Sequence, residues 1–166
     1  MAREIFTGKL ISVRVDERGY ELVGHPPAVV IVAVERNGTV WLVRSQRPVP
    51  DGTLVEVPAG LVDPDESVDE AARRELREEC GLEAESWEEL ASAYSSPGFT
   101  DERIHVYLAT GLRHVGGEEA PGPVQERFTA GFEQAVDLCA ANLQSLAALL
   151  LASRRLARRD GTGHRG

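Results

Sequence analysis

The sequence predicts a single domain of the α+β class. Its first sixty residues are patterned mainly as strands, one carboxylate-rich helix follows, and a helix with an apolar stripe closes the chain. This order differs from the regular strand–helix alternation that builds parallel sheets. With 166 residues, 42% of them hydrophobic, the chain can bury one sizeable core and is too short for two ordinary domains.

Short runs rich in β-branched and aromatic residues predict the N-terminal strands. Asn37-Gly38 separates two such runs and is a strong signal for a tight hairpin. One run is apolar at every position, which is typical of a central strand buried on both faces. The predicted strands are Ile5–Thr7, Lys9–Val15, Tyr20–Val23, the fully apolar Ala28–Val34, Val40–Val43 and Leu54–Val57.

A helix is predicted from Ser67 to Gly81. Pro58 ends the preceding strand, and we expect a loop from Ala59 through Asp65. From Ser67 onward, apolar residues recur at spacings of three and four, as on one face of a helix. Gly81 is well suited to end this helix, because glycine readily adopts the left-handed conformation of a C-terminal cap.

The second half of the sequence predicts two more strands and a closing helix. The strands are Glu89–Ser95 and Arg103–Ala109, and residues 96–102 form a polar loop between them. After a second loop at 116–123, residues 125–130 make a poor strand. The helix is predicted from a leucine stripe at Leu138, Leu143, Leu146, Leu149, Leu150 and Leu156. We divide the chain into an N-terminal β segment (1–24), a main domain (25–158) and a flexible tail (159–166).

The net charge of −9 is concentrated in one segment. Residues 63–90 contain 12 acidic and 3 basic residues, which favours a local cation over a uniformly acidic surface. The chain also lacks the basic face that binding of duplex nucleic acid requires. We therefore expect a cation at this segment and no nucleic acid partner.

The cysteines and the N-terminus predict a cytoplasmic protein. Cys80 and Cys139 are too few and too far apart for a disulfide framework or a thiolate zinc site. The N-terminus lacks the apolar stretch of a signal peptide, and the apolar runs are much shorter than a membrane span. We expect free thiols and no membrane association.

Three carboxylates of the predicted helix lie on adjoining parts of one face. Glu75, Glu78 and Glu79 are spaced by three and four residues, and Glu66 lies at the start of the helix. Like charges at this spacing repel unless a cation neutralises them, and Mg²⁺ prefers carboxylate and carbonyl oxygens. A solvated acidic face paired with the arginines of the same helix is an equally open interpretation of the spacing.

The residues around this helix resemble the signature of the Nudix hydrolases. The matching segments are Gly60-Leu-Val-Asp-Pro-Asp-Glu66 and, after seven residues, Arg74-Glu-Leu-Arg-Glu-Glu-Cys-Gly-Leu82. The resemblance implies an α/β/α sandwich around a mixed β-sheet. It also implies hydrolysis of a nucleoside diphosphate linked to another moiety.

The same resemblance assigns residues to a metal centre. It implies two or three divalent ions per site, Mg²⁺ first and Mn²⁺ or Zn²⁺ as alternatives, with Arg74 orienting one of the carboxylates. The implied ligands are Glu75, Glu78 and Glu79, supported by Glu66 and the carbonyl of Ala59. Such ions would neutralise the diphosphate and activate a water molecule.

Segments outside the signature resemble the ADP-ribose pyrophosphatase subfamily. They are Val43–Pro48, Glu56–Gly60 and the Ser95–Glu102 loop with its Ser-Pro-Gly-Phe sequence. The resemblance implies Mg²⁺-dependent hydrolysis of ADP-ribose to AMP and ribose 5-phosphate. Alternatives are another nucleoside diphosphate sugar, a dinucleotide, or an idle ADP-ribose-binding sensor.

The implied substrate contacts come from two strands and the Ser95–Glu102 loop. They are Arg47, Arg44, Glu56, Gly98, Phe99 and Asp101. A planar guanidinium suits recognition of phosphate oxygens. For each contact an ordinary structural role remains open: a surface ion pair for either arginine, a salt bridge for Glu56, packing for Phe99 and loop solvation for Asp101.

Two further features follow from the resemblance. The general base is expected on a loop after the last long strand, where Glu119 is favoured over Glu118 and Glu126. Members of the subfamily form homodimers in which N-terminal strands cross to the partner. The strands before Gly24 fit that arrangement, although they could also extend the sheet of their own subunit.

Overall fold

A computed structural model describes residues 2–116 and 123–161, with side chains as far as Arg159. The strands are β1 (Arg3–Thr7), β2 (Ser12–Val15), β3 (Glu21–Gly24), β4 (Ala28–Val34), β5 (Val40–Arg47), β6 (Gly52–Glu56), β7 (Ala59–Leu61), β8 (Leu82–Tyr94), β9 (Arg103–His114) and β10 (Val124–Ala130). The helices are α1 (Val68–Cys80), α2 (Phe132–Leu138) and α3 (Leu143–Gly161).

The centre of the molecule is a mixed seven-stranded sheet. Its main path has the order β10-β5-β4-β9-β8, with β6 paired to β5 and β7 paired to β4. Strands β4 and β9 run parallel over their whole shared length, and the other pairs are antiparallel. The short strand β7 lies beside β4 and so places the residues that precede α1 at the middle of the sheet.

Both faces of this sheet are covered by helices. Alternate residues of β4 point to opposite faces, and all seven are buried. Val29 and Ile31 pack with Leu76 of α1, whereas Val30 and Val32 pack with Leu149 of α3. The result is an α/β/α sandwich around a mixed sheet, so the predicted fold class is confirmed.

The N-terminal strands form a separate sheet. Strands β1, β2 and β3 pair antiparallel in that order. Backbone hydrogen bonds join them to the loop before β9, from Val23 N to Phe99 O at 2.7 Å and from Asp101 N to Val23 O at 3.2 Å. The alternative that these strands extend the main sheet of their own subunit is therefore wrong for the described residues.

Four predicted elements differ from the structure, and the first is strand β8, which begins at Leu82 instead of Glu89. The residues after Pro58 form strand β7 instead of a loop, because Ala59–Leu61 pairs with β4. Residues 124–130 form strand β10, which pairs with β5 along its length. The helix α3 continues to Gly161, and Arg155 and Arg159 bind Glu88 of β8, so the helix extends into the segment assigned to a flexible tail.

The predicted leucine stripe is divided between two helices and is only partly buried. Leu149 is fully buried, whereas Leu143 and Leu150 are 76% and 60% exposed. Both cysteines are buried and free, as expected. Among the helices described, none is long and apolar enough to cross a membrane.

Candidate active site

Local signals at both ends fix the acidic helix α1. Ser67 is its N-cap, and Ser67 and Glu70 exchange hydrogen bonds as a capping box. Gly81 ends the helix in the left-handed conformation, with φ of 68°. The buried face carries Glu75 and Glu79 together with the apolar side chains that pack on the sheet. Two of the three predicted carboxylates thus lie at the interface between helix and sheet.

Glu75 lies directly against the backbone of Gly60. A β-carbon built on Gly60 would overlap the carboxyl group of Glu75. Only glycine therefore leaves room for this carboxylate between α1 and β7. Burial raises the pKa of Glu75, and the ion pair with Arg74 at 2.7 Å opposes that increase.

Arg74 binds three carboxylates around α1, which are those of Glu66, Glu75 and Glu78. Its Nη1 atom donates to Glu75 at 2.7 Å and to Glu78 at 3.2 Å, and its Nη2 atom donates to Glu66 at 2.6 Å. The carbonyl oxygen of Leu61 accepts a further hydrogen bond from Nη2. These hydrogen bonds lower the pKa of Glu66 and raise that of Arg74. The guanidinium thus joins the helix to the segment that precedes it.

Glu79 is the carboxylate with the most strongly altered acidity. It is 6% exposed, and its Oε2 atom accepts a hydrogen bond from the backbone N–H of Ala59 at 3.0 Å. Burial raises the pKa of Glu79 to about 8 because the charged form loses its hydration. Such a carboxylate is stabilised in its ionised form when a cation binds nearby.

A cavity of about 440 Å³ opens beside this cluster. Ala59 and Gly60, the backbone neighbours of Glu79 and Glu75, form part of its wall. Arg47 lies on another side, where its guanidinium binds the buried carboxylate of Glu56 at 2.7 Å. The structure therefore confirms the salt bridge that was one of two interpretations of Glu56, and it places Arg47 in the wall of the cavity that Ala59 and Gly60 also line.

The other predicted substrate residues lie outside the lining of this cavity. Arg44 forms an ion pair with Glu126 of β10 at 2.8 Å. Asp101 accepts a hydrogen bond from the backbone of His25 and lies 3.5 Å from Arg14, which anchors it to the N-terminal segment. Gly98 and Phe99 belong to the same junction, and Phe99 is 53% exposed. Glu118 and Glu119, two of the three candidate bases, lie outside the described residues.

The sequence interpretation missed the contribution of the last helix to the cavity. Asn142, Leu143 and Gln144, at the start of α3, line it together with Glu102. Asn142 precedes a helical run, and asparagine is a preferred N-cap residue, so the beginning of α3 was readable from the sequence. Its position beside Glu56 depends on the tertiary structure.

The donor set around α1 fits a hard divalent cation. Glu66, Glu75, Glu78 and Glu79 offer carboxylate oxygens, Ala59 offers a backbone carbonyl, and Gly60 keeps space at Glu75. Mg²⁺ prefers such all-oxygen sites. In the described part of the chain, no group of three acidic, histidine or cysteine side chains already encloses a metal position. Arg74 instead neutralises Glu66, Glu75 and Glu78.

Comparison with known proteins agrees with this architecture. A family model described as the NUDIX domain matches residues 24–158. The fold and the carboxylate helix are those of this class of hydrolases, and the chain belongs to the Nudix family. The resemblance in the signature segments is thereby confirmed.

Individual relatives refine the comparison. An ADP-ribose pyrophosphatase of Mycobacterium tuberculosis is 48% identical over 101 residues, which are 60% of this chain and about half (49%) of that protein. A methanol dehydrogenase activator of Bacillus methanolicus is 35% identical over 81% of this chain and 76% of its own length. A crystal structure of an ADP compounds hydrolase has a TM-score of 0.74 at 23% identity, covering 96% of this chain and 93% of that one.

Proposed function

We propose that this Nudix hydrolase cleaves the diphosphate of ADP-ribose to AMP and ribose 5-phosphate with Mg²⁺. The observation that carries the proposal is a cavity whose wall joins the Arg47–Glu56 pair to Ala59 and Gly60, the residues that contact Glu79 and Glu75 of the acidic helix. The guanidinium for phosphate oxygens thus lies near the carboxylates for a cation, and the charge of Arg47 opposes the effect of burial on the pKa of Glu79. The identity with a relative named ADP-ribose pyrophosphatase supports ADP-ribose as the substrate.

Different residues of the chain would bind the metal, bind the substrate and act as the general base. Glu75, Glu78 and Glu79 would hold the metal with the carbonyl of Ala59, while Glu66 and Arg74 keep these carboxylates in place. When bound, divalent ions neutralise the diphosphate and activate the attacking water. Arg47 would bind a phosphate oxygen from the wall of the cavity, and its contact with buried Glu56 fixes its direction. Among the loop glutamates we favour Glu119 as the general base.

A panel of diphosphates tests the substrate assignment. The full chain is stripped of metal with EDTA, supplied with Mg²⁺ and incubated with ADP-ribose, UDP-glucose, NAD and flavin adenine dinucleotide. We expect AMP and ribose 5-phosphate in equal amounts from ADP-ribose, at the highest kcat/KM of the panel. Faster cleavage of another member would refute ADP-ribose as the preferred substrate.

The Glu79→Gln variant tests the metal assignment. Loss of this ligand should lower kcat about 1,000-fold or more while the variant stays folded, because a metal ligand acts on the charge that develops in the transition state. Glu133→Gln, an exposed change on α2, serves as the matched control with wild-type turnover. Near-wild-type turnover of Glu79→Gln would contradict the metal assignment.

A second candidate function is an ADP-ribose-responsive module that acts on a partner protein. The observation that favours it is a relative named for activating a dehydrogenase, which aligns over 81% of this chain. Tight binding of ADP-ribose without release of AMP would support this role. Metal-dependent product formation by catalytic amounts of enzyme would refute it.

We also propose a homodimer that forms through the N-terminal sheet. Every residue of β1 is exposed, and Ile5 and Phe6 each have 52% of their surface accessible, which leaves an apolar strand for a second copy to cover. Multi-angle light scattering should give twice the 18.0 kDa chain mass. A monomer at micromolar concentration would contradict this proposal.

The two cysteines support a cytoplasmic location, because both are buried as free thiols and cytoplasmic proteins keep their thiols reduced.

A further inference from the structure

The start of the last helix contacts the buried carboxylate behind Arg47. Asn142 immediately precedes α3, and its Oδ1 atom accepts a hydrogen bond from the backbone N–H of Ser145 at 2.9 Å. The Nδ2 atom of the same side chain donates to Oε1 of Glu56 at 2.5 Å. One asparagine therefore caps the helix and binds a carboxylate of the candidate active site.

Glu56 uses both of its oxygens in this arrangement. It is 4% exposed, and its Oε2 atom accepts a hydrogen bond from Nε of Arg47 at 2.9 Å and lies 2.7 Å from Nη2 in an ion pair. A buried carboxylate is stable only when its oxygens have partners. Removal of the Asn142 donor would leave Oε1 unsatisfied, so Glu56 would be free to rotate and Arg47 would follow it.

A second hydrogen bond keeps α3 against the same strand. The backbone N–H of Val57, next to Glu56, donates to Oγ of buried Ser145 at 3.2 Å. Residues 56 and 57 are thus attached to the first turn of α3 at two points. Because these contacts share one rigid helix end, the direction of the Glu56 carboxylate is defined by α3 as well as by its own strand.

We infer that Asn142 is a positioning residue for substrate binding, which holds Glu56 so that Arg47 points its guanidinium at the diphosphate oxygens. Two nitrogens of Arg47 are engaged by Glu56, and the planar group therefore presents its remaining nitrogen in a fixed direction. The inference rests on the proposed function only in that the substrate carries a diphosphate.

Two substitutions separate positioning from helix capping. Asn142→Ser and Asn142→Asp both keep a good N-cap residue, and both remove the Nδ2 donor. We expect KM for the fastest substrate of the panel to rise about tenfold in Asn142→Ser, with kcat within about twofold of wild type. Asn142→Asp should raise KM further, because it places a second carboxylate against Glu56. A role in capping alone predicts wild-type KM for both variants and would overturn the inference.

A double-variant cycle tests whether Asn142 acts through Arg47. In an Arg47→Met background, Asn142→Ser should change KM by less than about twofold. If Asn142→Ser raised KM by the same factor with and without Arg47→Met, the two residues would act independently and the inference would be overturned. If another diphosphate replaces ADP-ribose as substrate, the proposed function fails and the cycle is measured with that compound. If none is hydrolysed, calorimetric Kd values for ADP-ribose replace KM, and the absence of any binding would overturn the inference too.

Discussion

The buried carboxylate of Glu79 makes the stability of the metal-free protein depend on pH. Its ordinary pKa of 4.5 rises to about 8 in the folded protein because the charged form is removed from water. Between these values the folded state binds a proton that the unfolded chain has released. The stability that Glu79 contributes is therefore fully present below pH 4.5 and is lost as the pH rises toward 8.

The size of this effect follows from the difference between the two pKa values. At about 1.4 kcal/mol per pH unit, ionising Glu79 costs up to about 5 kcal/mol. For a protein of this length, 1 kcal/mol corresponds to about 2–4 °C in Tm. In EDTA, we expect the Tm of the wild type to fall between pH 5 and pH 8.5. This fall should exceed that of a variant with no ionisable group at position 79 by about 10 °C or more.

Glu79→Gln is that variant. The amide is nearly isosteric, can accept the hydrogen bond from Ala59, and has no charge to bury. Differential scanning fluorimetry in EDTA should therefore show equal Tm values for variant and wild type near pH 5 and a higher Tm for the variant at pH 8.5. Mg²⁺ should restore the wild type at high pH and leave the variant unchanged. A Tm difference that does not vary with pH would refute the reasoning.

Three further substitutions test the local structure. Gly60→Ala should lower kcat/KM at least about 100-fold with a small change in Tm, because its methyl group displaces Glu75; wild-type kinetics would contradict the close contact. Gly81→Ala should lower the free energy of unfolding, measured in urea, by about 1–2 kcal/mol, since an L-residue at φ of 68° is strained. An unchanged urea midpoint would show that the backbone at residue 81 can leave this conformation without loss of stability. Ser145→Ala should cost about 1–3 kcal/mol by the same measurement, because the buried N–H of Val57 loses its acceptor; unchanged stability would mean that the N–H finds another.

The acidic helix could be predicted from the sequence because its signals are local. The N-cap Ser67, its partner Glu70 and the C-terminal Gly81 lie within or beside the helix that they define. The buried face follows from residue spacing in the same short window. The same locality made the signature residues interpretable before any tertiary contact was known.

Elements that depend on distant partners escaped prediction. Strand β7 has only three residues, and it forms because β4 lies beside it. Strand β10 alternates weakly by itself and is stabilised by its register with β5. Likewise, Asn142 and Glu56 are hydrogen-bonded although they are 86 positions apart, and no local sequence pattern near either residue indicates this contact. In α3, helical spacing could not tell buried Leu149 from exposed Leu150.

The junction at Gly81 has no connecting loop. Helix α1 ends at Cys80 and strand β8 begins at Leu82, so one residue performs the whole change of direction. An inserted residue here would turn the side chains at the start of β8, before the register shift at Glu89–Ala91, to the opposite face or rotate the helix by about 100°. Either change would separate Leu82 from its packing with Leu76. The segment from Leu76 to Leu82 is therefore of fixed length, and we expect insertions or deletions in related chains to fall outside this junction.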